Sequence, residues 1–175
     1  MTARMLFALI LATLLPAAAA TQAAQPSTQY SVTALTLSRA VFGGIRAGLE
    51  ASFRDGTATA DTVACVASLD ESGLAPVYES LMREVLSEED IRKLDAFYGS
   101  EAGRRYFRWS LNQIRTQQQF PVTEPMELSQ QELDQANAFH ASGPGLVLAG
   151  IGAEGSASQK TVNDAITKAL EPCKR

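Results

Sequence analysis

This chain has little of what enzyme chemistry most often draws on: one histidine and two cysteines in 175 residues. With no second His and no Cys to spare, the usual tetrahedral zinc sets cannot be assembled, so no metal and no cofactor is expected. There is no Gly-x-Ser-x-Gly elbow to lift a nucleophilic serine into the open and no P-loop. No dinucleotide-binding glycine fingerprint is expected either, and the Gly43-Gly44 pair lies within a helical pattern instead of after a strand. Positive charge is in deficit, with 15 Lys+Arg against 19 Asp+Glu and a formal net charge of −4. That balance argues against nucleic acid as a partner, because such binding relies on basic surface.

Long apolar runs are also scarce. The run from Met5 to Leu15 is shorter than the roughly 20 residues a membrane span needs, and no later stretch approaches that length. No transmembrane segment is therefore expected in the mature chain. Arg4, the apolar run, Pro16 and then Ala17 to Ala20 have the order of a secretory signal. Residues 1–20 are read as a signal peptide, 21–30 as a disordered lead-in and 31–175 as a single helical domain, periplasmic or secreted after cleavage.

An even cysteine count in an exported chain favours a disulfide between Cys65 and Cys173, with two free thiols as the alternative. On loop-closure entropy, a bridge enclosing most of the domain stabilises by roughly 4 to 5 kcal/mol. Thiol titration of the denatured, unreduced protein separates the two readings.

What is present is helical periodicity. From Ser31 to Arg54, Leu35, Phe42, Ile45, Leu49 and Phe53 gather on one side. Arg39, Arg46, Glu50 and Arg54 form a polar strip, and small residues fill the rest, predicting a long helix contacted on two sides. A shorter helix is read over 57–69. Leu74, Val77, Tyr78, Leu81, Met82 and Val85 mark the next, with Pro76 in its first turn. Leu146 to Ile151 reads as a buried helix, and Ser156 or Ser158 caps a last one that carries Val162, Ile166, Leu170 and Cys173 inward.

The densest signals lie at Leu86–Gly103. Ser87 is an N-cap, Glu88, Glu89 and Asp90 sit at the positive helix end, and Leu86 with Ile91 has staple spacing. Gly99 is expected to close this helix in left-handed geometry, with Ser100 capping the next. Laid without a gap over Leu128–Gly145, the stretch repeats. Leu86, Ser87, Ala96, Phe97, Ser100 and Gly103 return as Leu128, Ser129, Ala138, Phe139, Ser142 and Gly145. The expected architecture is an all-α, compact domain of six or seven helices with a pseudo-repeated helical hairpin, its modules at 86–115 and 128–155. Ala96-Phe97-Tyr98-Gly99-Ser100 with Gly103, and the weaker second copy, resemble the bacterial exported family called domain of unknown function 2059. The resemblance implies an all-helical exported protein and brings no catalytic residues.

For function, Arg104, Arg108 and Arg115 lie on one face of the helix after Ser100, with Trp109 at its edge. The bland reading is a solvated basic face, and the sharper one is a site for an anion or acidic partner. Glu101 is expected to pair with Arg104 or Arg105. His140 aligns with Tyr98 and reads as a structural helix-end residue. Glu88/Glu89 and Asp70/Glu71 stand at helix starts, where the dipole accounts for them. The favoured function is a non-enzymatic interaction module for an unknown protein, an envelope component or a small apolar ligand. The alternative is a small hydrolase-like enzyme using a carboxylate, Tyr or His140, which lost turnover in His140→Gln would reveal.

Overall fold

A computed structural model describes residues 30–117, 119–120, 122 and 125–174. The signal peptide expected over 1–20 lies outside the described residues, as does the lead-in except for Tyr30, which packs against the core. Eight α-helices follow one another: α1 (Val32–Arg54), α2 (Ala60–Ala67), α3 (Ala75–Val85), α4 (Glu88–Gly99), α5 (Glu101–Gln117), α6 (Gln130–His140), α7 (Gly143–Gly150) and α8 (Gln159–Leu170). A 3₁₀ turn (Glu171–Cys173) closes the described chain, and no strand occurs among the described residues. The all-α class is as expected, and the helix number exceeds the six or seven expected. Two of the eight, α2 and α7, have only eight residues each.

The central element is α1, which packs against α2, α3, α4 and α5. Its first turn is closed from outside the helix. Ser31 Oγ accepts from Ala34 N at 3.1 Å, Ser31 N donates to Glu79 Oε2 at 3.0 Å, and Thr33 N and Oγ1 donate to Asp95 Oδ1 at 2.8 and 2.7 Å. Carboxylates from α3 and α4 thus meet the orphan amides and positive end of α1. Burial pushes the Glu79 carboxyl upward, and hydrogen bonds from Ser31 together with Arg83 overcome it, leaving the group below its usual range.

Of the large residues expected on one side of α1, Phe42 is buried, and small residues make much of the rest of the contact. Ala34, Ser38, Phe42 and Ala47 are buried, whereas Phe53 is 50% exposed. Close approach of several neighbours excludes bulk from the contact side, so the larger Leu35, Ile45 and Leu49 are only half-covered. Ser38 is fully buried and fully used: its Oγ donates to Glu71 O at 2.5 Å and accepts from Leu74 N at 3.1 Å, fixing the entry to α3. The core continues through Leu74, Met82, Ile91 and Leu94, with Leu148 and Val162 closing it from α7 and α8.

The repeated stretch builds the same device twice. Ser87 Oγ accepts from Asp90 N at 3.2 Å to start α4, and Ser129 starts α6 with a reciprocal box. At each helix break a serine in extended geometry, Ser100 with ψ 163° and Ser142 with ψ 160°, stands between two helices. Ser100 Oγ donates to Phe97 O at 2.6 Å and accepts from Gly103 N at 3.0 Å. Ser142 Oγ donates to Phe139 O at 2.5 Å and accepts from Gly145 N at 3.3 Å. One hydroxyl therefore satisfies the end of one helix and the start of the next.

The expectation for Gly99 does not hold. Gly99 is the last residue of α4, and the left-handed glycines among the described residues are Gly56, Gly152 and Gly155. The glycine the break depends on is three residues past the serine. A Cβ on Gly103 would stand 2.0 Å from Phe97 O, and one on Gly145 would stand 2.3 Å from Phe139 O.

The copies pack symmetrically. Phe97 and Phe139, aligned in the repeat, stack with centroids 3.7 Å apart and planes 10° apart. The contact of α5 with α6 is matched by that of α4 with α7, the exchange a pseudo-twofold axis produces. Arg105 of the first copy pairs with Glu132 of the second, in place of the expected Glu101, and also donates to Glu127 O. Hydrogen bonds from Ser129 N, then from Arg105 and Ser129 Oγ, hold the Glu132 carboxyl down at about 2.

Two expectations near the C-terminus change. Within Leu146–Ile151, Leu148 is buried, but Leu146 is 63% and Val147 40% exposed, because the main packing of α7 is on its side facing α4 and α6. Ser158 Oγ accepts from Gly152 N at 2.9 Å, fixing the loop before α8 and making no side-chain cap for α8 itself. Cys65 and Cys173 form a disulfide with Cα atoms 5.6 Å apart. It ties the 3₁₀ turn to α2, while α8 packs on α3.

Candidate functional site

The break at Ser100 lays the first turns of α5 beside the first turns of α1, and an open groove of about 640 Å³ lies between them. Val32, Thr36 and Arg39 line it from α1, Tyr98 and Gly99 from the end of α4, and Arg104, Phe107 and Arg108 from α5. Arg104 and Arg108 share this wall because they are one helical turn apart. The groove has three guanidinium groups and no carboxylate among its lining residues.

Other arginines of this chain have acidic partners. Arg46 pairs with Glu71, Arg83 with Glu79 and Glu88, Arg105 with Glu132 and Arg115 with Glu50. Arg39 and Arg108 are exposed and make neither an ion pair nor a hydrogen bond among the described residues. Arg104 donates to the Gly99 carbonyl, a free acceptor at the C-terminal end of α4, and has no acidic partner there. Tyr98, which also lines the groove, is buried, and burial first, then Tyr106, pushes its hydroxyl up to about 12. It stays a neutral donor at physiological pH.

Of the four residues singled out from sequence, Arg104 and Arg108 come together and the other two lie elsewhere. Arg115 is on the same stripe of α5 but about two turns farther along. There Glu50 Oε2 is 3.1 Å from its guanidinium, which lies 5.5 Å from the Phe120 ring centroid beside Arg54. Trp109 is half-buried against Tyr106 at 5.8 Å. Arg39 completes the groove, and helical periodicity alone does not single it out. Its place in the polar strip of α1 was visible, but only the packing of α1 on α5 shows which cations it joins.

Among the residues named for the enzymatic alternative, His140 packs in an aromatic group and four carboxylates have cation or hydrogen-bond partners. His140 is half-buried among Tyr106, Phe139 and Phe97, with centroids 5.1, 5.3 and 6.2 Å away, and its buried Nε2 has no hydrogen-bond partner. Glu88 meets Arg83, Glu89 meets Lys93, Glu71 meets Arg46, and Asp70 accepts from Ser72 N and Oγ at 2.9 and 2.6 Å. The Ser72 side-chain and backbone bonds hold the Asp70 carboxyl below its usual range.

The spacing Gly150-x-Gly152-x-x-Gly155 does carry the glycines of a dinucleotide fingerprint, contrary to expectation. It follows a helix instead of a strand, and two of its amides are taken, Gly152 N by Ser158 Oγ and Gly155 N by Gln159 Oε1. Among the described residues no three His, Cys, Asp or Glu side chains are gathered so as to hold a metal ion.

Burial holds the His140 pKa below its usual value, which gives a pH prediction. The unfolded chain takes up a proton near the ordinary value of about 6.5 while the folded chain does not. The contribution of the neutral ring is therefore complete above that pH, and falls as pH drops from there to the lowered folded pKa. Urea denaturation from pH 7.5 to 5 is expected to show this loss in the wild type and a smaller one in His140→Phe. Equal slopes in both would contradict it.

No protein family, curated protein or solved structure matches this chain. Among the described residues no helix is long and apolar enough to cross a membrane.

Proposed function

We propose that the protein is an exported, non-enzymatic helical module that binds an acidic group of its partner in the groove between α1 and α5. One observation carries this reading: Arg39, Arg104 and Arg108 line a single groove without a carboxylate to neutralise them. Like charges gathered around one groove repel, and an anion bridging them replaces that repulsion with charge-assisted hydrogen bonds, for which the planar guanidinium is well suited. Val32, Phe107 and Tyr98 supply apolar wall beside the charges, so the partner carries an apolar part as well.

The signal-like N-terminus and the Cys65–Cys173 bridge support export to the periplasm or beyond. The duplicated break around Phe97-x-x-Ser100-x-x-Gly103 supports membership of the domain of unknown function 2059 family.

Calorimetric titration with a panel of small anions and acidic peptides tests the reading. The wild type is expected to bind at least one of them. Arg104→Glu with Arg108→Glu is expected to weaken that binding by about a hundredfold, as for loss of charge-assisted contacts, while leaving the helical circular dichroism unchanged. Equal binding by the double variant, or no binding by the wild type, would overturn the proposal.

A further inference from the structure

We infer that the acidic group received by this groove is a phosphoryl group carried on an apolar body, an inference that rests on reading the groove as an anion site. The first argument is charge. A carboxylate brings one negative charge, whereas a phosphomonoester carries about −1.5 to −2 near neutral pH and presents three acceptor oxygens. Three arginines line the groove from two helices, Arg39 from α1 and Arg104 and Arg108 from α5, and together they offer enough donors for that number and spread of acceptors. A planar carboxylate is gripped by one fork from one side.

The second argument is space. At about 640 Å³ the groove lies in the range of sites for whole organic ligands, far beyond what a bare inorganic anion fills. The room beside the charges is apolar: Val32 is 40% exposed, Phe107 is half-buried, and Gly99 adds no side chain.

The third argument comes from the repeat. The positions aligned with Arg104 and Arg108 in the second copy are Leu146 and Gly150, although that copy builds the same serine-and-glycine break. Arginine at these two positions is therefore not required by the folding device. Arg39, from outside the repeat, joins the same groove.

The source is a soluble phosphate ester or a lipid phosphate headgroup, and both share this chemistry. Full-length mature protein is titrated with hexyl phosphate, hexanoate and inorganic phosphate, and with phosphatidylcholine vesicles with and without phosphatidate. Hexyl phosphate is expected to bind about tenfold or more tighter than either hexanoate or inorganic phosphate. Arg39→Gln with Arg104→Gln and Arg108→Gln is expected to abolish that preference, and Arg115→Gln, already held by Glu50, to leave it unchanged. If the triple variant does not fold, Arg108→Gln alone, at an exposed side chain, carries the same test. Added binding to phosphatidate vesicles assigns the lipid source, and binding of the soluble ester alone assigns the other. Arginine-dependent binding of hexanoate as tight as that of hexyl phosphate would overturn the phosphoryl inference and leave the anion groove standing. No arginine-dependent binding of any probe would overturn both.

Discussion

Replacing both bridge cysteines, Cys65→Ser with Cys173→Ser, is expected to cost about 2 to 5 kcal/mol of stability, measured as a lowered urea midpoint. The bridge spans 108 residues of sequence, so opening it returns most of the loop-closure entropy of the chain to the unfolded state. It also acts on the folded side. The 3₁₀ turn is held to α2 through Cys173, which is buried, and α8 packs on α3. Val162 of α8 belongs to the core, so loosening the end of the chain reaches inward. The measurement is made on oxidised wild type, reduced wild type and the double variant, and the last two should agree. An unchanged midpoint would mean that the C-terminal segment is held by packing alone.

Gly103→Ala and Gly145→Ala are each expected to destabilise by about 3 kcal/mol or more, at or above the usual range for overpacking. The reason is backbone, not side chain: the added Cβ meets the carbonyls of Phe97 and Phe139, and no flexible group can move aside. Relief requires opening the angle between the two helices at the serine, which would pull the stacked Phe97 and Phe139 apart. Gly99→Ala is the contrasting case. Its Cβ meets nothing nearer than Val32 Cγ1 at 4.0 Å, and at a helix end with ordinary φ the substitution is expected to be neutral or to stabilise by up to about 1 kcal/mol. Thermal unfolding of the three variants, followed by circular dichroism, checks the ordering. A destabilising Gly99→Ala with a tolerated Gly103→Ala would return the break to the left-handed cap expected from sequence.

The difference between these glycines marks what was legible beforehand. Ser87, Ser129, Ser100 and Ser142 announce themselves because a cap is local, made by a side chain and an amide three residues away. The repeat shows because the device needs the same residue types at the same spacing. Which glycine is indispensable depends on how close two helices come after the turn, and spacing does not encode that angle.

The same limit applies to the long-range pairings. Arg105 reaches Glu132 and Thr33 reaches Asp95, so a nearer carboxylate such as Glu101 was a poor guide. Of the groove, Arg104 and Arg108 were visible as a helical stripe, while Arg39 joined them only through packing. Arg115, on the same stripe, was drawn to Glu50 instead.

These observations give the duplicated stretch two roles. Its common residues fold both copies, and the residues that differ, Arg104 and Arg108 against Leu146 and Gly150, distinguish the face that lines the groove. The groove is tested most directly by following the arginine Nε–Hε resonances during titration with hexyl phosphate. Arg39, Arg104 and Arg108 are predicted to shift together and saturably, with Arg46, Arg83 and Arg115, all held by carboxylates, staying in place. Shifts spread over all the arginines alike, or none at the three in the groove, would contradict the site.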